Sequence, residues 1–203
     1  MEIKLQALSK QFERRWLFRD LNHTLGAPGA WSITGPNGAG KTTLLHIIAG
    51  LTSPSTGKLI YQSTGKVISS EDWYKHTWLA APYVELLEEL TLKEFWQFHR
   101  QLKPMLDLSP QEFAERCQLG HALNRTIQQY SSGMKQRVKL GLGFYSQVPI
   151  LLLDEPTTNL DQKGQQWYQQ EMRNLLSHKL LIICSNQPEE YTFCTNNISL
   201  GQP

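Results

Sequence analysis

The residues predict an α/β fold with a mostly parallel core sheet, an antiparallel β subdomain and an inserted helical subdomain. Three observations carry this. The Gly-rich segment Gly35-Pro36-Asn37-Gly38-Ala39-Gly40-Lys41-Thr42-Thr43 lies between strand-like Ala30–Thr34 and a helical stretch, Thr42–Ala49, stopped by Gly50. The apolar run from Val148 to Leu153 ends in Asp154 and Glu155, as a parallel strand buried on both faces does. Met1–Leu8 alternates polar residues with Ile3, Leu5 and Ala7, the pattern of a half-buried strand.

The other elements follow in order. Trp16-Leu17-Phe18 and Leu21–Leu25 read as two further short strands, and Ala27-Pro28-Gly29 as a turn. Leu51–Gly57 is a turn cluster before a strand at Lys58–Gln62. Trp78–Ala81 reads as a core strand. Leu86, Leu87, Leu90, Phe95, Phe98 and Leu102 have spacings compatible with helix, and Ser109-Pro110-Gln111-Glu112 is a helix start. Residues 85–146 are therefore expected to be mainly helical, a lobe within a single domain over 1–203. Gln162–Leu176 reads as a helix, Lys179–Cys184 as a buried strand and Asn197–Leu200 as a last short strand.

Composition sets bounds. Hydrophobic residues make up 40% of the 203 and charged residues 19%, enough for a sizeable core. The net charge of +2 argues against a nucleic-acid partner, which selects a strong basic excess. No apolar run reaches the ~18 residues that span a bilayer, and the N-terminus lacks a signal-peptide pattern. A cytoplasmic location follows as the expectation, with any membrane role exerted through a partner. Cys117, Cys184 and Cys194 are scattered and odd in number, which suggests neither a disulfide framework nor a zinc site. The six histidines show no metal-ligand spacing.

Gly35–Thr42 fits G-x-x-x-x-G-K-[ST], the phosphate-binding P-loop, in the strand–loop–helix setting that motif requires. Its glycines let backbone N–H groups converge on phosphate oxygens, and the helix N-terminus adds its positive end. Lys41 supplies a point charge for the β- and γ-phosphates, and the Thr42 hydroxyl can ligate Mg²⁺. The bland alternative is a Gly-rich turn with a surface lysine. Asp154 ends the apolar strand where a second Mg²⁺ ligand is needed. Glu155, the next residue, can orient or deprotonate an attacking water. Alone, these two are a strand that ends in charges.

Tyr130-Ser131-Ser132-Gly133-Met134-Lys135-Gln136-Arg137 is, by itself, a helix N-cap before an amphipathic stretch. Upstream of the Asp154 strand, it resembles the signature of the ABC ATPase family, Leu-Ser-Gly-Gly-Gln. The match is at Ser131 and Gly133, with Ser132 and Met134 replacing Gly and Gln. Asn159-Leu160-Asp161, after Glu155-Pro156-Thr157-Thr158, is similar to the family's D-loop, and Leu90–Glu94 to the start of its helical subdomain. The likeness covers nearly the whole chain in the expected order.

The resemblance implies a P-loop NTPase of ABC type that binds ATP and Mg²⁺. Two such domains, identical or different, face each other head to tail. Residues 35–43 of one, from Gly35 to Thr43, and Ser131, Ser132, Gly133 and Met134 of the other then hold each ATP. Hydrolysis loosens the dimer and drives membrane-spanning subunits, placing the chain at the inner face of a membrane. Phe12 falls at the family's adenine-stacking position, with Trp16 as a competing residue and a core role equally open. Two positions depart from the family. Pro82, in Ala80-Ala81-Pro82-Tyr83, stands near where a Gln is expected, with Glu85 as a substitute if the loop is shifted. Asn186 stands where the family has its switch His. It can donate to a γ-phosphate but cannot titrate. Trp73, Trp78 and Trp96 flank the lobe where family members dock their membrane partner, core packing being the alternative. The short chain and its close at Ile198-Ser199-Leu200 look most like the small haem-exporter-type subunits. Two other readings stay open: an ATP-gated nucleotide-binding module with little turnover, and a soluble non-transport ABC ATPase.

Overall fold

The computed structural model describes residues 1–201. Two sheets organise it. The first is antiparallel: β1 (Glu2–Phe12), β2 (Arg15–Gly26), β4 (Thr56–Ser63) and β5 (Lys66–Ile68), in the order β2-β1-β4-β5. The second contains β3 (Gly29–Thr34), β6 (Thr77–Ala80), β7 (Ile150–Asp154), β8 (Leu180–Cys184) and β9 (Asn196–Ser199), in the order β6-β7-β8-β3-β9. β3 runs parallel to β8 and β9, and β7 parallel to β8. All five residues of both β7 and β8 are buried, which is why they read as unbroken apolar runs rather than alternating ones.

The helices are α1 (Lys41–Ile48), α2 (Leu92–Leu102), α3 (Pro110–Arg116), α4 (Ser132–Phe144) and α5 (Gln162–Leu175). The chain divides into two compact units. One holds Met1–Leu79, Pro149–Glu155 and the segment from Leu176 onward; the other holds Ala80–Val148 and Pro156–Leu175. In the first, α1 buries Leu44, Leu45, Ile47 and Ile48 in a core shared with Ile33, Leu152 and Ile182. In the second, the fully buried Trp96 stacks on Phe113 with ring centroids 4.1 Å apart, and Phe144 meets Trp167.

Several expectations change. The two short strands at 16–18 and 21–25 are one strand, β2. Its register against β1 shifts between Leu8 and Lys10, and Asp20, at φ 52°, takes the irregularity as a bulge without ending the ladder. β1 reaches Phe12 because Glu13 and Arg14, both with positive φ, form the tight reversal that hairpins favour, without its usual Asn-Gly. Residues 85–91 are not helical. Leu90 and Glu88 instead accept backbone bonds from Ile127 (2.9 Å) and Gln128 (2.8 Å). Helix α2 starts only after Thr91, whose hydroxyl and backbone N–H exchange bonds with Glu94 in a capping box. The Ser109 start of α3 is a second capping box. That helix stops at Arg116, because Gln118 (φ 60°) adopts the left-handed cap and Leu119 N–H returns to Ala114 O at 2.7 Å. The short strand β5 and a 3₁₀ turn at Ser70–Lys75 carry no period long enough to read. Trp96 is a core residue, its indole N–H donating to Leu108 O at 3.3 Å. Trp73 stacks on Tyr61 at 4.5 Å, and Trp78 is half-buried. Packing, the alternative to docking, thus accounts for Trp73 and Trp96.

Candidate functional site

Parallel register sets the first site. Ile33 of β3 and Asp154 of β7 both stand level with Cys184 of β8. The segments after β3, β7 and β8 therefore leave the sheet at one edge, the carboxyl edge where α/β sheets gather ligands. They are the Gly-rich loop, Glu155 and the Ser185–Gln187 turn.

The loop is built by its own backbone. Ala39 N–H bonds to Pro36 O at 3.1 Å, closing a turn. Gly40 caps α1 at φ 94°, and a Cβ there would stand 3.0 Å from Leu17 Cβ. A side chain at 40 would thus be strained and crowded at once. No side chain caps α1, so its first-turn N–H groups are open to an anion, in the way a phosphate uses a helix N-terminus. Lys41, 9% exposed, folds back to donate to Gly35 O (2.8 Å) and Pro36 O (3.2 Å). Those two bonds hold the ammonium against the Gly-rich loop.

The Thr42 hydroxyl donates to Asp154 Oδ2 at 2.7 Å. Cis ligands of an octahedral Mg²⁺ stand about 2.9 Å apart, given metal–oxygen distances of about 2.05 Å. The hydroxyl and carboxylate are thus spaced as two neighbouring oxygens of such an ion, and the hard-oxygen donor set suits it. Glu155 is exposed and left-handed at φ 43°, a conformation rare for a residue with a Cβ. Its N–H is fixed to Cys184 O at 2.9 Å. The backbone is thereby turned so that Asp154 is buried and Glu155 faces out. A cleft of about 400 Å³ is lined by Asn37, Lys41, Thr42, Asp154, Glu155 and Leu17. Leu17 comes to the cleft from β2, and nothing local in the sequence distinguishes it from its neighbours. Asn186 donates from Nδ2 to Asn37 Oδ1 at 2.6 Å. That contact also escapes a linear reading, since 149 residues separate the pair.

Phe12 is 51% exposed at the hairpin end, with Lys10 Nζ 4.9 Å from its ring centroid. The core role left open for it is absent. Trp16 is half-buried and carries the Arg19 guanidinium over its ring at 4.8 Å.

A second site lies in the other unit, at the start of α4. Ser131 Oγ accepts from Met134 N–H at 3.2 Å, which leaves its own hydroxyl proton free to donate. A Cβ on Gly133 would stand 2.7 Å from Asn159 O, so only glycine fits. Arg137 pairs with Asp161 at 2.9 Å and with Gln118. Asp161 Oδ1 also accepts from Gly164 N–H at 2.8 Å, at the start of α5. The bond from Gly164 N–H, and then Arg137, holds the Asp161 carboxyl below its ordinary pKa. Ser132, Gly133, Met134 and Asn159 line a cleft of about 440 Å³ here. The Pro82 carbonyl is engaged: Lys139 donates to it at 3.0 Å and to Ala81 O at 3.4 Å. Glu85 is exposed, in a neighbouring cleft with Lys135 and Lys139.

Among the described residues, no helix is long and apolar enough to cross a membrane. A family profile described as ABC transporter matches residues 18–158. The lantibiotic transport ATP-binding protein SrtF of Streptococcus pyogenes is 28% identical over 91% of this chain and 79% of its own. The cytochrome c biogenesis ATP-binding export protein CcmA of a Chelativorans species is 30% identical over 91% of each. A dimeric ATP-binding cassette in a post-hydrolysis state, bound to ADP and Pi, superposes with a TM-score of 0.83 over 98% of this chain and 94% of that one. At 22% identity, that likeness is one of fold.

Proposed function

Because the chain belongs to the ABC transporter family, we propose that it is the ATP-binding and ATP-hydrolysing subunit of an ABC transporter. It would be a single ABC ATPase domain with a helical subdomain at about residues 85–146. The observation that carries this is the 2.7 Å meeting of Thr42 and Asp154 at the mouth of the Gly-rich loop. Two oxygens poised for a hard cation, beside uncapped helix N–H groups, make a site for a nucleotide triphosphate and its metal.

In this reading residues 35–43 cradle the phosphates, Lys41 turns from the loop carbonyls to the β- and γ-phosphates, and Phe12 stacks on the base. Thr42 and Asp154 hold Mg²⁺, which when bound neutralises charge on the phosphate oxygens. Glu155 receives a proton from the attacking water, and Asn186 donates to the γ-phosphate. Ser131, Ser132, Gly133 and Met134 present the first turn of α4 to the ATP of a second ABC domain, with Asp161 behind them. ATP thus closes a dimer, hydrolysis opens it, and membrane-spanning subunits are driven from the cytoplasmic face. The two-way 91% match supports a place beside the small haem-exporter-type subunits.

The test is steady-state ATP hydrolysis with light scattering, for the protein and for Glu155→Gln. Expected are hydrolysis in the first, a loss of about 10²-fold or more in the variant, and an ATP-dependent dimer of the variant. Binding without hydrolysis in the unsubstituted protein would replace this reading with an ATP-gated clamp. The observations favouring that clamp are Asn186 in place of a titratable base and the engagement of the Pro82 carbonyl by Lys139.

A further inference from the structure

Asn186 and Asn37 are each exposed, and each lies in a turn closed by a short-range hydrogen bond. Ser185 Oγ accepts from Gln187 N–H at 2.8 Å, and Pro188 begins a 3₁₀ turn one residue on, so the Asn186 backbone is pinned on its C-terminal side. The Ala39-to-Pro36 bond closes the turn that contains Asn37. What remains adjustable at Asn186 is its side-chain amide.

That adjustability matters for any group meant to touch a phosphate. An amide has a donor end and an acceptor end of nearly the same shape, and a half-turn about its last torsion exchanges them. Nitrogen toward a phosphate is attractive; oxygen toward it repels. An unrestrained Asn divides its time between the two. Here the nitrogen end is engaged by Asn37 Oδ1 at 2.6 Å. One N–H of Asn186 is consumed by that bond, and the second is left for another acceptor beside the loop.

We propose that Asn37 is a positioning residue for Asn186. Its side-chain oxygen keeps the nitrogen end of the Asn186 amide turned to the phosphate loop, so that the second N–H is presented to the terminal phosphate. Asn37 thereby contributes to discrimination between a triphosphate and a diphosphate without itself needing to touch the γ-phosphate. This rests on the nucleotide-site reading above, and the experiment separates the two.

In the Glu155→Gln background, in which turnover is expected to fall by about 10²-fold or more, ATP and ADP affinities are measured by titration for Asn37→Ala, Asn186→Ala and the double variant. Because Asn37 is exposed, its truncation keeps the fold, which thermal melting checks. Each single variant is expected to lower the preference for ATP over ADP by about tenfold, the scale of one hydrogen bond to a charged group. The double variant is expected to lower it no further, because the two residues act through one contact. A loss that strikes ATP and ADP alike, an unchanged ratio in Asn37→Ala, or losses that multiply in the double variant would each overturn the proposal and leave the nucleotide site standing. If the background protein binds neither nucleotide, the nucleotide-site reading fails and this inference falls with it.

Discussion

The Thr42 hydroxyl and the Asp154 carboxylate, 112 residues apart in the chain, meet at 2.7 Å where the first turn of α1 faces the end of β7. In the proposed reading the same bond serves fold and chemistry. Asp154 is 5% exposed, so the bond is made away from bulk water. Thr42→Val keeps the shape and deletes the hydroxyl. We expect it to bind ATP in Mg²⁺ no better than the unsubstituted protein binds ATP in a chelator, as isothermal titration would read. A variant that still gains affinity from Mg²⁺ would take Thr42 out of the metal site.

Phe12 gives the second prediction. Half its surface is exposed at the end of a hairpin, so truncating it removes little packing. Lys10 lies over the ring, and a cation over an aromatic face is attractive. Base stacking on an aromatic is worth about 1–3 kcal/mol. Phe12→Ala should therefore weaken ATP about tenfold, leave tripolyphosphate binding unchanged and barely move the melting temperature. The same pattern from Trp16→Ala and not from Phe12→Ala would transfer the role to Trp16.

The fold and the chemical motifs were legible to different depths, for physical reasons. Val148–Asp154 and Lys179–Cys184 could be read because a strand buried on both faces selects a run of apolar side chains, and β7 and β8 lie there. Ser109 and Glu112 announced α3 because a capping box is a local contact between residues three apart. The spacing of Leu86, Leu87 and Leu90 suits a helix, whereas the backbone partners of Leu90 and Glu88, Ile127 and Gln128, are some 40 positions away and invisible to a local pattern. Asp20 misled in the opposite way: a polar residue at a bulge looks like a strand end. At the site, the Gly-rich loop was visible as composition and order. The contacts of Asn37 with Asn186, and of Lys139 with Pro82 O, are tertiary and leave no mark in linear spacing.

Asn186 gives a prediction in pH. A histidine at that position would titrate near 6.5 and change its hydrogen-bonding capacity there, whereas an amide does not. Turnover of the unsubstituted protein should be slow and show little change across pH 6 to 7. Asn186→His should raise the rate and introduce an inflection near pH 6.5 in the rate profile. An unchanged rate and profile in Asn186→His would show that this position does not touch the reacting phosphate.

His99 gives a prediction in stability. It lies on the inner face of α2, 9% exposed, with its ring 6.0 Å from that of Phe95. Burial first, and the positive charge of Lys103 second, push its pKa down from 6.5 to about 4. The sign follows from where the proton binds. Between pH 6.5 and 4 the unfolded chain takes up a proton at His99 and the folded chain does not, so acid favours unfolding through this group. Above pH 6.5 both states are neutral and the contribution vanishes. A shift of one pKa unit corresponds to about 1.4 kcal/mol, so the folded state should lose roughly 2 to 3 kcal/mol at His99 between pH 6.5 and 4.5. His99→Leu removes the proton site and keeps an apolar side chain in the core. Denaturant unfolding at the two pH values should show the unsubstituted protein losing more stability on acidification than His99→Leu by that amount. Equal losses in the two proteins would mean that His99 already carries its proton in the fold at pH 6.5, and that its burial is less complete than the packing of α2 against α3 implies.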